Sequence, residues 1–342
     1  MPAHNQHAHD SSPPSARPSG QTLLLAAAVA VSCALVGYLV VFHDPAAGAA
    51  APKKLTLKNI PFDGARAYSY LQEICALGTR VSASEGMLAQ QKMLADFFEK
   101  LGGKVSFQKF RIRHPVDGSP VPMANLIVQW HPERKERILI CTHYDTRPFP
   151  DQDPRNPRGV FLGANDGASG PALLMELARA MPKLEGELGV DFALFDGEEF
   201  VFQDGHAYFI GSEWFAMQYA ADATGPRYRW AVLLDMVADA DLQIYPDSRS
   251  MSWDDSRPLV ESIWETASRL GVAEFVFDRR VDVLDDHIKL HDIGKIPSCD
   301  IIDFKYPYWH TQDDQPKRCS ALSLAKVGWV LQTWLTQAVR KP

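Results

Sequence analysis

Apolar residues recur at helical spacing in two stretches that open the folded part of the chain. The stretches cover residues 65–77 and 85–101, and Ser84 is placed to cap the second of them. Residues 104–112 then alternate between polar and apolar side chains, which is typical of an exposed strand. The folded part is therefore predicted to begin with two helices and a strand.

The remaining pattern alternates short apolar runs with helical ones. After residue 136 the order is strand, helix, strand, helix, strand, which implies parallel strands joined by helices. The predicted fold class is α/β: a three-layer sandwich whose central mixed, mostly parallel sheet is flanked by helices, with a ligand site beyond the carboxyl ends of the strands. The predicted strands are residues 125–130, 138–142, 189–195, 230–235 and 301–304, and the predicted helices are residues 169–181, 212–219, 257–270 and 320–339.

The N-terminal region differs in composition from the rest of the chain. Residues 1–20 are rich in His, Ser and Pro, lack hydrophobic periodicity and are predicted to be a disordered tail. Residues 21–43 follow as an uncharged apolar run, and about 20 such residues are enough to cross about 30 Å of hydrocarbon as a helix. We therefore predict an N-terminal transmembrane helix, a linker at residues 44–59 and one folded domain at residues 60–342.

The bulk of the chain follows this predicted span. A signal-anchor would therefore hold the protein in the membrane and place the folded domain outside the cytoplasm. Small residues at 47–51 leave open a cleaved signal peptide, but the apolar run is longer than the usual signal core of about 7 to 15 residues. An uncleaved anchor is the favoured interpretation.

Composition narrows the function classes. The 342 residues are 46% hydrophobic, so the chain can bury a sizeable core, and its formal net charge is -7 without acidic runs or a basic stripe. Nothing in this charge pattern indicates nucleic-acid binding, and we expect a monomer. The five cysteines show no short pairing pattern, and Cys141 and Cys299 are expected to be buried free thiols rather than metal ligands.

Acidic and histidine side chains follow the predicted strands at five places. Such a residue alone has an ordinary structural interpretation, such as a hydrogen-bonded strand end or a helix cap. Carboxylates and imidazoles gathered at successive strand ends are, however, how an α/β fold builds a metal site, and oxygen and nitrogen ligands without cysteine fit Zn²⁺ best. The segments are residues 143–145, 165–167, 196–199, 234–235 and 309–311.

The adjacent pair Glu198-Glu199 is the sharpest of these features. Two carboxylates at the end of a buried strand repel each other and lose hydration unless a cation or a proton absorbs their charge. One can bind a metal while its neighbour transfers protons. A solvated loop is the alternative interpretation.

Together these segments resemble a known family. The succession HYDT, GANDGASG, FDGEE, LLD, DDH and WHT resembles the zinc-dependent M28 superfamily over about residues 62–336, and within it the glutaminyl cyclases (glutaminyl-peptide cyclotransferases). The DGEE form, the doubled Asp of DDHI and Trp309 directly before a ligand histidine are similar to the cyclases. The resemblance implies an enzyme that converts the N-terminal glutamine of peptides or proteins to pyroglutamate and releases ammonia.

The same resemblance implies a role for seven residues of this chain. Glu198 would be the general acid and base, with Asp235 and Asp285 as supporting carboxylates, and Trp309 would line the substrate pocket. One zinc ion is favoured. Its implied ligands are Asp166, Glu199 and His310.

Two other functions stay open. An M28-type zinc aminopeptidase would use a second zinc ion bound with His143 and Asp235, and a catalytically inactive binding domain could share the fold. Three departures from the animal cyclases bear on the substrate. Asp300 stands where those enzymes have a histidine, their tryptophan after the Glu-Glu pair is missing near Phe202 and Gln203, and the expected disulfide partner after GANDGASG is absent.

Overall fold

The computed structural model describes residues 54–340. The N-terminal tail and span predicted at residues 1–43, and most of the predicted linker, lie outside the described residues. Within residues 54–340, no helix is both long and apolar enough to cross a membrane. The helices are α1 (Gly64–Cys75), α2 (Glu85–Lys100), α3 (Ser169–Ala178), α4 (Ile210–Ala221), α5 (Ser248–Ser252), α6 (Arg257–Leu270), α7 (Asp286–Asp292) and α8 (Ala321–Ala338).

One six-stranded sheet forms the centre of this region, in the spatial order β1-β2-β4-β3-β5-β6. The strands β4, β3, β5 and β6 run parallel to one another, whereas β2 is antiparallel to both β1 and β4. The predicted mixed α/β sheet flanked by helices is therefore confirmed. The strands are β1 (Lys104–Arg113), β2 (Pro120–Trp130), β3 (Glu136–His143), β4 (Gly189–Phe195), β5 (Arg227–Asp235) and β6 (Ser298–Ile302).

Helices cover both faces of the sheet. In β3, Ile138 and Ile140 belong to the larger apolar core, which is shared with α1, α2, α3, α6 and α8. Leu139 and Cys141 point to the opposite face. They belong to a smaller apolar core that includes Phe215 of α4 and Leu290 of α7. Because β3 is buried on both faces, its sequence is a continuous apolar run rather than an alternating one.

Several element boundaries differ from the prediction, and strand β2, for example, begins at Pro120 rather than at residue 125. The helix predicted at residues 169–181 ends at Ala178 and is followed by a 3₁₀ turn, Met181–Lys183, in which Pro182 has no N–H to continue an α-helical ladder. The strand predicted at residues 301–304 is Ser298–Ile302, and Asp303 turns the chain by accepting a hydrogen bond from the Lys305 amide.

The cysteines of the described region are free. Cys141 and Cys299 are buried thiols in neighbouring parts of the sheet, as predicted, and Cys75 and Cys319 are also buried and unpaired. Desolvation by burial raises the thiol pKa of Cys141 well above its usual value. These side chains therefore serve as small core residues.

Candidate metal centre

Three parallel strands end side by side beneath the predicted site. Strand β3 lies between β4 and β5 and ends at His143, β4 runs into Glu198 and Glu199, and β5 ends at Asp235. The carboxyl ends of parallel strands meet at one edge of a sheet, so side chains far apart in sequence converge here. All seven residues for which the sequence implied a role line one cavity of about 350 Å³: Asp166, Glu198, Glu199, Asp235, Asp285, Trp309 and His310.

Asp166, Glu199 and His310 form one possible metal-ligand group. A ligand atom from each lies within 4.8 Å of the others, and all three side chains are buried. His310 Nε2 is 3.2 Å from Glu199 Oε1 and 3.5 Å from Asp166 Oδ2. The structure therefore brings the three implied ligands together around a single point.

The donor set fits zinc. Asp166 Oδ2 and Glu199 Oε2 are buried and have no hydrogen-bond partner within residues 54–340. Buried carboxylate oxygens are costly without a partner, and a cation would satisfy both. Three oxygen and nitrogen ligands that leave a fourth position open are typical of catalytic zinc sites.

His143, Asp166 and Asp235 form a second possible group around the other oxygen of Asp166. His143 Nε2 is 3.0 Å from Asp235 Oδ1 and 3.3 Å from Asp166 Oδ1. The two groups share Asp166, so a second cation could be held beside the first. His143 can equally hydrogen-bond to Asp235, as it does in this structure.

The charges of the first group reinforce one another. Burial opposes a charged His310, but the carboxylates of Glu199 and Asp151 outweigh it and raise the histidine pKa to about 9. Burial likewise opposes ionisation of Glu199, yet His310 and Arg147 lower its pKa to about 2. Glu199 is thus an ionised carboxylate, the form in which it can bind a metal, whereas a metal would have to displace the proton of His310.

Glu198 has the opposite character to its neighbour. Burial, and then the charge of Glu199, raises its pKa well above that of an ordinary glutamate. Its Oε2 lies 3.8 Å from His143 Nδ1, and its side chain lines the cavity. Two adjacent carboxyls whose pKa values are driven apart suit one ligand and one proton-transfer group.

Two further carboxylates hold the backbone of the ligand-bearing turns. Asp145 accepts hydrogen bonds from the amides of Glu198 and Glu199 at 3.1 and 3.0 Å. Asp314 does the same for the amides of Asn165 and Asp166 at 2.8 and 3.1 Å. These pairs fix the turns from which the ligand side chains project.

The sequence motifs did not indicate these roles of Asp145 and Asp314. Asp145 lies two residues after His143, with its Oδ1 3.8 Å from His143 Nδ1, and both its oxygens accept hydrogen bonds from backbone amides. Asp314 was not identified from the sequence at all. Its place directly after the WHT segment, among acidic and polar residues, is the only signal that could have indicated it.

Arg147 is the other residue that the motifs did not reveal. Its Nη1 donates to Glu199 at 3.0 Å, its Nε and Nη2 donate to Asp151 at 2.9 and 2.8 Å, and Nη2 also donates to the Tyr208 hydroxyl at 3.0 Å. Asp151 in turn lies 3.3 Å from His310 Nδ1. The buried guanidinium of Arg147 thus contacts Glu199 directly and His310 through Asp151. It also contacts Tyr208 in the cavity wall.

His310 adopts a strained backbone. Its φ is 54°, in the left-handed region that residues other than glycine seldom occupy, and its carbonyl accepts a hydrogen bond from the Gln152 amide at 3.1 Å. Phe209, in the cavity wall, has a φ of 60°. Such strain persists where surrounding contacts impose it, and it concentrates at functional sites.

Aromatic side chains form the apolar wall of the cavity. The Trp309 ring stacks on His310 at a centroid distance of 3.8 Å and meets Phe304 edge-on at 5.4 Å. Tyr208 and Phe209 line the cavity as well. Phe202 lies near the position at which the animal cyclases were expected to have a tryptophan. It packs against Phe200 and His114.

Asp285 and Asp300 form an acid pair behind the cavity. Asp285 caps α7 by accepting a hydrogen bond from the Asp286 amide at 2.6 Å, and it also lines the cavity. Burial, and then the charge of Asp235, raises its pKa well above normal. Burial, and then the charge of Asp285, raises the pKa of Asp300 well above normal too.

Residues 125–335 match the sequence profile of peptidase family M28. The chain belongs to this family. Among curated relatives, the glutaminyl-peptide cyclotransferase of Bos taurus is 26% identical over 246 residues, which are 63% of this chain and 66% of the bovine protein. The cyclotransferase-like protein of Bos taurus is 25% identical over 76% of this chain and 72% of its own length. The chain thus spans slightly less than two thirds of the bovine cyclotransferase.

The solved structures that resemble this chain include a glutaminyl cyclase and an aminopeptidase precursor. Fimbriiglobus ruber glutaminyl cyclase is 41% identical to this chain, with a TM-score of 0.77 over 85% of this chain and all of that one. A leucine aminopeptidase precursor from Bacteroides thetaiotaomicron is 30% identical, with a TM-score of 0.74 over 80% of this chain and 97% of that one.

Proposed function

We propose that this protein is a zinc-dependent glutaminyl-peptide cyclotransferase, which converts N-terminal glutamine to pyroglutamate with release of ammonia. The observation that carries the proposal is the single cavity that joins three possible zinc ligands, a buried Glu198 with a raised pKa and an aromatic wall at Trp309. The likeness to Fimbriiglobus ruber glutaminyl cyclase over that protein's full length supports it.

The chemistry requires one new bond and one broken bond. The α-amine nitrogen attacks the side-chain carbonyl carbon of the same glutamine, and the bond from that carbon to the amide nitrogen breaks. Bound zinc would supply Lewis acidity toward the carbonyl oxygen. Glu198 takes the proton that the amine loses and returns it to the departing nitrogen, which leaves as ammonia.

The remaining side chains position the substrate and the proton. Trp309 and Phe304 offer a flat apolar wall against which the methylene groups of a folded glutamine can pack. Asp285 lines the same cavity, and its raised pKa favours a neutral acid near Glu198. Asp235 holds the His143 imidazole at 3.0 Å and so orders the floor of the site.

The second candidate function is an aminopeptidase. The group His143, Asp166 and Asp235 favours it, because a second cation there would give a two-metal site. The likeness to the leucine aminopeptidase precursor supports the same reading. In that reaction Glu198 would activate water, which cyclisation does not use.

One assay separates the two functions. Purified full-length protein is incubated with a Gln-initiated and a Leu-initiated peptide, and the products are followed by mass spectrometry. Loss of ammonia from the Gln peptide alone supports the cyclotransferase. Release of free amino acids from both peptides, without pyroglutamate, would overturn it.

A further inference from the structure

A buried histidine lies behind the metal cavity and has no part in the chemistry described above. His287, in the first turn of α7, is completely buried, and neither nitrogen of its ring has a hydrogen-bond partner within residues 54–340. A buried polar group without a partner is costly, and folded proteins contain few of them. The surroundings of His287 indicate what this ring does.

Two buried carboxyl groups face the two nitrogens of the ring. His287 Nε2 is 3.5 Å from Asp247 Oδ1, and His287 Nδ1 is 3.9 Å from Asp300 Oδ2. Asp247 and Asp300 are each only 1% exposed. Hydrogen bonds of this kind extend to about 3.2 Å, so each separation exceeds one by less than about 1 Å. Small movements of the three side chains are therefore enough to form a hydrogen bond at each nitrogen.

Asp247 is the fixed member of this trio. Its Oδ1 accepts a hydrogen bond from the Arg249 amide at 2.8 Å and its Oδ2 from the Ser250 amide at 3.0 Å, so that it caps α5. Burial opposes the ionisation of Asp247, but His287 and these capping contacts lower its pKa below the usual value. An ionised carboxylate only accepts hydrogen bonds, so the ring nitrogen that faces Asp247 has to be a donor.

Asp300 has the opposite character. Neither oxygen of its carboxyl group has a hydrogen-bond partner in the described part of the chain, and burial, followed by the charge of Asp285, raises its pKa. A protonated carboxyl group has one O–H to donate, and a neutral imidazole that is protonated on Nε2 has an acceptor on Nδ1. The nitrogen of His287 that faces Asp300 is therefore the acceptor that this carboxyl group lacks.

We propose that His287 is a positioning residue: its Nε2–H donates to Asp247, and its Nδ1 accepts a hydrogen bond from the carboxyl group of Asp300. This proposal rests on the proposed function. Among neighbouring carboxylates, Asp285 has the largest effect on Asp300, and Asp285 lines the cavity together with Glu198. An Asp300 that is held in its protonated form adds no second buried negative charge behind Asp285. His287 thus preserves the neutral acid near Glu198.

Nuclear magnetic resonance tests these hydrogen bonds without turnover. The full-length, zinc-loaded protein is labelled with ¹⁵N in its 11 histidines, and long-range ¹H–¹⁵N spectra distinguish the two neutral tautomers from imidazolium. The signals of His287 are those that disappear in His287→Gln or in His287→Asn. We expect a neutral ring with its proton on Nε2, and in Asp300→Ala an Nδ1 signal shifted to that of a nitrogen without a hydrogen bond. A proton on Nδ1, or on both nitrogens, would overturn the proposal.

Kinetics test the positioning role. A glutamine amide can take the place of Nε2 but not that of Nδ1, so His287→Gln keeps a donor for Asp247 and removes the acceptor for Asp300. It should lower kcat for a Gln-initiated peptide by on the order of tenfold and leave KM within about twofold, because proton exchange is affected and substrate binding is not. The zinc content should equal that of the wild type. A loss confined to KM, or a loss of zinc, would contradict the role.

Two further variants separate positioning from a general loss of stability. The double variant His287→Gln, Asp300→Ala should lose no more kcat than Asp300→Ala alone, because both changes break the same contact. His291→Gln is the matched control, since His291 lies one turn later on α7, stacks on Trp253 at 3.7 Å and faces Asp255 at 3.3 Å. It should keep the kcat of the wild type. Additive losses in the double variant, or an equal loss in His291→Gln, would show that His287 does not act through Asp300.

The two proposals fail in different ways. If the wild type releases no ammonia from a Gln-initiated peptide, the proposed function fails, and the spectra alone decide the hydrogen bonds of His287. If ammonia is released but the ring carries its proton on Nδ1, the cyclotransferase stands and the positioning role of His287 falls.

Discussion

Arg147 Nη1 lies 3.0 Å from Oε1 of Glu199, so a buried cation is fixed beside a proposed zinc ligand. Burial opposes ionisation of Glu199, but His310 and, after it, Arg147 lower its pKa to about 2. A metal must compete with protons for its ligands. We therefore expect Arg147 to extend the pH range over which the proposed site holds zinc.

Replacement of Arg147 tests this relationship. In Arg147→Gln the pKa of Glu199 should rise, and the midpoint for acid release of zinc should move to a higher pH by about one unit or more. Zinc retained after dialysis between pH 4 and 8, measured by atomic absorption, gives the midpoint. Arg147→Lys keeps the charge and should release zinc nearly as the wild type does. Identical release curves for wild type and Arg147→Gln would contradict the assignment.

Glu198 and Glu199 should respond differently to mutation. Glu199→Ala removes a ligand and should abolish both bound zinc and turnover, whereas Glu198→Gln should keep zinc and lose turnover by at least about a hundredfold. Chelation of the wild type should abolish activity, and added Zn²⁺ should restore it. Full activity of the metal-free protein would refute zinc dependence.

The zinc count should be one per chain. His143 Nε2 is 3.0 Å from Asp235 Oδ1, and this contact can hold both side chains without a second ion. His143→Asn should therefore retain one zinc while losing thermal stability. Metal analysis that finds two zinc ions in the wild type and one in His143→Asn would favour the aminopeptidase.

Trp309 should act on substrate rather than on metal. Its ring covers one face of the His310 imidazole at 3.8 Å and lines the cavity. Trp309→Ala should lower kcat/KM for pyroglutamate formation by on the order of tenfold or more, and Trp309→Phe by less, since a smaller flat surface remains. Both variants should contain as much zinc as the wild type. A loss of zinc in Trp309→Ala would instead show that the ring supports His310.

The hydrophobic pattern was sufficient to predict the sheet and the location of the site. Strand β3 is buried on both faces and therefore shows an uninterrupted apolar run. Its polar residue His143 then had to lie at the strand end, beside the ends of β4 and β5. The alternation of elements implied parallel strands, whereas the spatial order β4-β3-β5 that brings these three ends together is seen only in the structure.

The partners inside the site could not be predicted in the same way. Asp145 is two residues from His143, but its oxygens lie closer to the amides of Glu198 and Glu199 than to the His143 ring. The spacing of residues in the sequence does not reveal these distances. Asp314 meets the Asp166 amide across 148 residues of sequence. Such contacts depend on how loops pack, and loop packing has no periodic signature.

The last prediction concerns stability and pH. Asp286 is completely buried next to Asp285, and the hydroxyl of Ser212 donates a hydrogen bond to its carboxyl. Burial raises the pKa of Asp286 to about 7, compared with about 3.9 for an unfolded aspartate. Between these values the folded protein keeps a proton that the unfolded chain has lost, so the free energy of unfolding falls as pH rises and levels off above about 7.

Asp286→Asn keeps the shape of the protonated acid but cannot ionise. Relative to the wild type, its free energy of unfolding should therefore increase between pH 4 and 7, by as much as about 4 kcal/mol if the full shift is realised. Urea unfolding of the zinc-loaded proteins at pH 4, 5.5, 7 and 8 measures this difference. Asp282→Asn, at an exposed position, is the matched control and should stay within about 0.5 kcal/mol of the wild type. A difference between Asp286→Asn and wild type that is independent of pH would show that Asp286 is ionised in the folded protein.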